Sequence, residues 1–162
     1  MEGRNKNKGK GSVEQAMREA LRLLRGARFL SRTLYGICRM KEIIENIINK
    51  GIKFIVIGSY SKFWNKIGTT YPKDLDLWVE SNKLNFEFFQ TEYQITLNSS
   101  NIGEIKIGSI KINIFTNVTG LDFDKSYQNA NTRIVKSNHS LKYLCKEDYL
   151  RNIKQTNTKW DF

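Results

Sequence analysis

The sequence contains few of the residues that build disulfide frameworks and zinc sites, with two cysteines and one histidine among its 162 residues. Cys38 and Cys145 lie far apart and neither belongs to a Cys-x-x-Cys pair, and His139 is the lone histidine. Disulfide-stapled folds and structural zinc sites need several such residues at defined spacings. We therefore expect both cysteines to be reduced and structural.

Long apolar segments are also absent. No window approaches the roughly eighteen consecutive apolar residues that mark a membrane-spanning helix. The first residues, MEGRNKNKGKG, are polar and lack the apolar centre of a secretory signal. The sequence therefore predicts a cytoplasmic protein with no membrane partner.

Acidic residues are scarce relative to basic ones, and the formal net charge is +11. A strongly basic chain normally indicates a polyanionic partner such as nucleic acid. The excess is uneven, however, because residues 1–39 carry a balance of +7 and residues 40–162 only +4. The main body of the chain is thus mildly basic, and its 40% hydrophobic content is enough for one compact domain.

The composition changes near Met40. Between residues 12 and 39 every basic residue is arginine, whereas from residue 40 onward fifteen of seventeen are lysine. We therefore divide the chain into a basic leader, residues 1–39, of foreign or upstream origin, and a domain at residues 40–162.

In the leader, Ser12 and Gln15 form a capping box before apolar residues at helical spacing, which predicts an N-terminal amphipathic helix. That helix either binds an anionic surface or partner groove or, as we favour, packs on its own domain with the arginines in solvent.

In the domain, the spacing of apolar residues predicts both helices and strands. A helix at residues 40–48 ends before Gly51, where a glycine cap belongs. A loop connects two strands at residues 53–57 and 74–79, and Gly108 and Ser109 form a hairpin turn. The other predicted elements are a weak helix at 85–91, strands at 93–97, 104–107 and 110–116, and a helix at 141–153.

One group of polar residues carries the predicted chemistry. Gly58 and Ser59 follow the first strand, and after fourteen further residues come Asp74 and Asp76. A small Gly-Ser corner lets backbone N–H groups and a hydroxyl approach a triphosphate. Carboxylates two positions apart on a strand project from the same face, so Asp74 and Asp76 can share divalent cations that neutralise phosphate charge.

These residues resemble the nucleotidyltransferase superfamily, in which a Gly-Gly or Gly-Ser pair precedes an Asp-x-Asp strand. Residues 71–79, with Asn85, look like a branch of small bacterial members that places a basic residue before the acidic strand. Residues 110–116 and 119–124 are similar to that branch's third acidic strand and the segment after it, and residues 144–161 loosely resemble its closing helix. The resemblance covers residues 53–162.

The resemblance implies an α/β (α+β) fold, with a mixed β-sheet flanked by helices. It implies transfer of a nucleoside monophosphate from an NTP to a hydroxyl, with Mg²⁺ or Mn²⁺. Gly58 and Ser59 would hold the triphosphate, Asp74 and Asp76 the metal, and Lys73 would offset phosphate charge. The acceptor stays open between a small molecule, a protein and RNA, since toxin–antitoxin systems and antibiotic modification both occur in this superfamily.

The chain departs from the family pattern at its third acidic position, where Asn113 stands. An amide cannot act as a general base near neutral pH, although its oxygen can ligate a metal. Glu104 and Asp122 are the alternatives for the missing carboxylate. Two further functions therefore stay open: a catalytically inactive module of this fold that binds a nucleotide or a partner protein, and nucleic-acid binding through the arginine-rich helix.

Overall fold

The structure, a computed structural model, describes residues 35–69, 72–99, 102–108, 110–135 and 139–156. The predicted amphipathic helix of the leader, and the binding functions considered for it, lie outside these residues. In the described part no helix is both long and apolar enough to cross a membrane. That part contains six strands and five helices: α1 (residues 35–49), β1 (Phe54–Ile57), α2 (Gly58–Trp64), β2 (Leu75–Val79), α3 (Lys83–Tyr93), β3 (Ile102–Ile107), β4 (Ile110–Phe115), α4 (Phe123–Asn129), β5 (Asn131–Val135), β6 (His139–Tyr143) and α5 (Lys146–Thr156).

The six strands form one open mixed sheet in the order β3-β4-β2-β1-β6-β5. The central strands β1 and β2 are antiparallel to each other, while β4 runs parallel to β2 and β6 runs parallel to β1. Antiparallel hairpins complete both sides, β3 with β4 and β5 with β6. The expected α+β class, a mixed sheet flanked by helices, is confirmed.

One face of the sheet is wholly apolar where α1 and α3 cover it. Ile47 of α1 and Phe89 of α3 are fully buried, together with Leu77 and Ile112 of the sheet. The helix α1 runs through Met40 and ends as predicted, because Gly51 adopts φ +70° and its N–H donates to the carbonyl of Ile48 at 2.9 Å. This face anchors β2 and β4 without contributing polar groups.

The second face is apolar over only part of its length. Trp78 of β2 is buried there with Leu144 and Tyr149, and its ring meets that of Phe123 edge-on at 5.2 Å between centroids. Helices α4 and α5 supply the covering side chains, including Tyr127 and residues of the second half of α5. Since side chains alternate along a strand, Asp76 projects from this same face, two positions before Trp78.

The segment between the first two strands, which we predicted to be a loop, begins with the helix α2. The buried Ser61 hydroxyl donates to the carbonyl of Leu144 at 2.9 Å, and Asn65 donates to the same carbonyl at 2.8 Å. Trp64 packs against Tyr143 at 5.3 Å between ring centroids. These partners lie about eighty residues away in the sequence, so contacts with the C-terminal part stabilise a helix too short to be stable alone.

The predicted strand at residues 93–97 is wrong. Tyr93 ends α3, Gln94 caps it in the left-handed conformation, and residues 94–98 pair with no strand of the described sheet. Ile95 and Leu97 are buried, as their alternation suggested, but they pack over Gly103 of β3, where a Cβ atom would overlap the Ile95 side chain. Apolar alternation therefore reflected burial here and not strand pairing.

The predicted helix at residues 141–153 is wrong at its start. Residues 139–143 form β6, and α5 begins only at Lys146. The pairing of Tyr143 with Val56, and the hydrogen bond from the Leu144 N–H to the Val56 carbonyl at 2.9 Å, draw this segment into the sheet. The elements α4 and β5 were not predicted, because both are short and polar.

Candidate functional site

Three polar side chains stand side by side across the uncovered part of the second face. Asp76 of β2 is in register with Asn113 of β4, which is in register with Glu104 of β3. We call Asp76, Asn113 and Glu104 the acid–amide row. The neighbouring pairs on one side of the row are apolar, with Trp78 opposite Phe115, so the row marks the boundary between the core and a polar surface.

Asp76 and Asn113 are joined directly. The Asn113 Nδ2 atom donates to Asp76 Oδ1 at 2.7 Å, and both side chains are half-buried. Burial raises the pKa of Asp76, as does the charge of Asp74, while the hydrogen bond from Asn113 acts in the opposite direction. An ionised Asp76 is therefore a costly anion in the absence of a cation.

Gly58 occupies the other side of Asp76. It starts α2 immediately after β1, and the antiparallel register places Ile57 opposite Asp76. Gly58 has φ +61°, and a Cβ atom at this position would overlap Asp76 Oδ2. Only glycine satisfies both the backbone conformation and the close approach. Ser59 follows in the first turn of α2 and is exposed.

Asp74 lies just before β2, because the strand begins at Leu75, one residue later than we predicted. It is half-buried. Burial is the main cause of the raised pKa of Asp76, and the hydrogen bond with Glu104 is the main cause of the raised pKa of Lys111; the charge of Asp74 adds to both. The structure thus brings Asp74, Asp76, Asn113 and Gly58 to one place. Lys73 is exposed, and within the described part of the chain it forms no ion pair or hydrogen bond with these groups.

Glu104 and Asp122, the two alternatives for a third carboxylate, have different surroundings. Glu104 belongs to the acid–amide row, with Lys111 Nζ at 2.8 Å and Lys106 Nζ at 3.1 Å. The hydrogen bond from Lys111, followed by that from Lys106, lowers the pKa of Glu104. Asp122 instead caps α4, where its Oδ1 accepts the N–H of Lys125 at 3.0 Å. Glu104 is therefore the carboxylate beside the amide.

Sequence reasoning left Glu104 and Asp122 as open alternatives and missed Lys106 and Lys111 as members of this site, although a signal was present. The hairpin turn at Gly108 fixes the register, because Ile107 pairs with Ile110. Counting outward from that pair places residue 104 opposite residue 113 and residue 106 opposite residue 111. The register set by the predicted hairpin turn was therefore enough to choose Glu104 over Asp122.

Asp74 and Asp76 suit a magnesium ion, which needs few protein ligands, better than a metal that is coordinated entirely by protein side chains. In the described residues no cluster of three or more His, Cys, Asp or Glu side chains could hold a metal ion. Mg²⁺ is commonly bound by one or two carboxylates, while waters and substrate phosphates complete the octahedron. Asp74 and Asp76, with the costly anion on Asp76, match that donor set.

Comparison with family models, with curated proteins and with solved structures found no match for this chain. The functional conclusion therefore depends on the geometry of Asp74, Asp76, Asn113 and Gly58 and on the resemblance of the motif residues.

Proposed function

We propose that this protein has a nucleotidyltransferase-like fold and transfers a nucleoside monophosphate from an NTP to a hydroxyl acceptor, using Mg²⁺ or Mn²⁺. One observation carries the proposal: parallel pairing of β2 and β4 sets Asn113 at 2.7 Å from Asp76, in the position where the resemblance expects a third acidic residue. The close approach of Gly58 to the same carboxylate supports it from the other side.

Each residue of the site has a physical task in this proposal. Asp74 and Asp76 would hold the divalent cation, which supplies neutralisation of the phosphate charge. Gly58 leaves room beside Asp76, and the exposed Ser59 hydroxyl is available to a phosphate oxygen. Lys73 is exposed next to Asp74 and adds positive charge for the triphosphate. Such a reaction depends mainly on positioning and electrostatics.

Asn113 is an orienting residue in this scheme and not a base. By donating to Oδ1 it fixes the Asp76 carboxylate in one rotamer and partly offsets the cost of its charge. Proton acceptance from an acceptor hydroxyl requires another group. Glu104, which faces Asn113 across the hairpin, is the carboxylate nearest in register.

A second candidate function is a catalytically inactive module of the same fold that binds a nucleotide or a partner protein. The amide at position 113 favours it, because the row contains fewer carboxylates than the family pattern. Lys111 favours it as well, since its ammonium, paired with Glu104 at 2.8 Å, keeps a positive charge beside the acid–amide row.

Calorimetry of NTP binding with and without Mg²⁺ tests the metal-dependent NTP site that transfer requires, and an acceptor screen then separates an enzyme from a nucleotide-binding module. The wild type is compared with Asp76→Ala and with Asp124→Ala, which removes an exposed carboxylate from the first turn of α4. Mg²⁺-dependent binding that is lost in Asp76→Ala and kept in Asp124→Ala supports the NTP site and justifies an acceptor screen. Absence of NTP binding in the wild type rejects transfer and leaves an interaction module. The acceptors to be screened are small molecules, proteins and RNA.

A further inference from the structure

A cavity of about 350 Å³ opens beside the acid–amide row. Its floor contains Phe115, two residues after Asn113 on β4, and Ile102, two residues before Glu104 on β3. Phe115 and Ile102 are cross-strand partners, so they form the next pair on this face of the hairpin after Asn113 and Glu104. With a rise of roughly 3.3 Å per residue, the cavity begins about 7 Å from the row.

The opposite wall of the cavity comes from α5 and the loop after β4. Asn152 Nδ2 donates to the Thr119 carbonyl at 2.8 Å, which holds the loop against the helix. The amide oxygen of Asn152 accepts no hydrogen bond from the described residues and remains available to a ligand N–H. Val118 adds apolar surface next to it, and Thr156 adds a hydroxyl.

The lining selects a class of ligand by its chemistry. Among the described residues no charged side chain lines the cavity, which disfavours a polycationic acceptor because such a ligand needs carboxylates. The amide oxygen of Asn152 disfavours a lipid chain, because an apolar ligand would cover this oxygen without donating a hydrogen bond to it. A half-buried phenylalanine ring beside an amide instead suits a flat, uncharged heterocycle with N–H groups at its edge.

We propose that this cavity binds a nucleobase, with its ribose directed toward Asn113 and Asp76. The direction of the ribose depends on the proposed transfer function, whereas binding of the base does not. The span from the cavity to the row is comparable with one sugar unit, so a base on Phe115 brings a ribose hydroxyl or a 5′-phosphate to the acid–amide row. The base belongs either to the NTP itself or to a nucleoside or RNA acceptor.

The test uses the full chain and nucleosides that carry no phosphate. Binding of adenosine, guanosine, cytidine and uridine is measured by calorimetry or saturation-transfer NMR in EDTA. Phe115→Leu removes the ring but keeps apolar bulk, and Asn152→Leu removes the amide. Asn129→Leu, which changes an exposed amide on α4, is the matched control. Thermal unfolding verifies that each variant is folded.

We expect at least one nucleoside to bind the wild type and Asn129→Leu equally, and to bind Phe115→Leu roughly tenfold more weakly, as loss of base stacking predicts. Asp124→Ala, at an exposed position on α4, should leave nucleoside binding unchanged. A parallel loss of NTP affinity in Phe115→Leu and Asn152→Leu assigns the base to the NTP. Simultaneous binding of NTP and nucleoside assigns it to the acceptor.

Two results overturn the proposal: no nucleoside binds the folded wild type, or nucleosides bind Phe115→Leu and Asn152→Leu as tightly as the wild type. These results are distinct from failure of the transfer function. If nucleosides bind in the cavity but NTP binding is independent of Mg²⁺ and of Asp76, the nucleobase site is supported and the metal-dependent reaction is rejected.

Discussion

Gly58 faces the carboxylate of Asp76 so closely that no side chain fits between them. The contact joins the end of β1 to the start of β2, and it occurs at a residue with φ +61°. Any substitution at position 58 therefore combines two costs, a left-handed backbone conformation and a steric overlap with a residue of the acid–amide row.

Gly58→Ala should destabilise the protein by roughly 2–4 kcal/mol and displace Asp76. Gly108→Ala is the matched control, because Gly108 also has φ +61° but a Cβ atom there would meet nothing within 4 Å. The control should cost only about 1 kcal/mol. Urea unfolding measures both free energies, and equal losses would show that the overlap with Asp76 is unimportant.

Asn113→Asp should be less stable than the wild type without Mg²⁺ and should gain more stability from Mg²⁺ than the wild type does. Without Mg²⁺ the variant replaces a hydrogen bond to Asp76 by like-charge repulsion, so its free energy of unfolding should fall by about 2 kcal/mol. With Mg²⁺ the additional carboxylate becomes a ligand, and the loss should be recovered. Thermal unfolding in EDTA and in Mg²⁺ tests this. A loss that Mg²⁺ does not reverse argues against a metal at Asp76.

Asp76→Asn should stabilise the metal-free protein at neutral pH. Burial raises the pKa of Asp76 in the folded state above the ordinary value of 3.8. Below pH 3.8 the Asp76 carboxyl is protonated in both the folded and the unfolded state, and the stability that it provides is present. This stability is lost as the pH rises through the raised pKa of the folded state. Asparagine does not ionise and has no such loss. The free energies of unfolding of Asp76→Asn and of the wild type should therefore be similar in acid and differ increasingly toward neutral pH.

Urea unfolding in EDTA between about pH 3 and pH 8 spans this window. Asp124→Asn, at an exposed position on α4, is the control and should not separate from the wild type in this manner. If Asp76→Asn is less stable than the wild type at every pH, the anion at position 76 carries no burial cost.

Lys111→Met should bind Mg²⁺ up to about fivefold more tightly than the wild type. Lys111 pairs with Glu104 at 2.8 Å, beside the acid–amide row, and removing a nearby positive charge favours a cation by the modest energy of an exposed pair. Lys106→Met is the control, since Lys106 also contacts Glu104. Mg²⁺ titration followed by calorimetry at low salt measures both. An equal gain in the two variants would point to net charge and not to the position of Lys111.

Asp122→Ala should cost about 1 kcal/mol of stability and leave NTP binding unchanged. The Asp122 side chain caps α4, and loss of an N-cap has this typical effect. Asp122→Asn retains a capping oxygen and should restore most of the stability. A selective loss of NTP binding in both variants would return Asp122 to consideration as a ligand of the site.

The sequence predicted well those elements whose signal is local. The apolar run of β1 between Lys53 and Gly58, the alternation in β2 and the hairpin at Gly108 each depend on neighbouring residues. The pair Asp74 and Asp76 followed from the same alternation. The resemblance alone placed Asn113 at the third acidic position, and its contact with Asp76 comes from the parallel pairing of β2 with β4.

The elements that were missed depend on distant partners. The α2 helix relies on a hydrogen bond between Ser61 and Leu144, and β6 relies on β1. Residues 94–98 have the period of a strand, yet they cover Gly103 instead of joining the sheet. Tertiary contacts of this kind override local preference and leave little trace in the adjacent sequence.

The position of β1 in the sheet has a consequence for synthesis of the chain. Its two neighbours are β2, which follows soon after it, and β6, which is made about eighty residues later. Until β6 emerges from the ribosome, β1 has an unpaired edge made of four apolar residues, and such edges promote aggregation. A nascent chain that stops before Tyr143 would therefore be a substrate for chaperones, although Gly58, Asp76 and Asn113 would already have been translated.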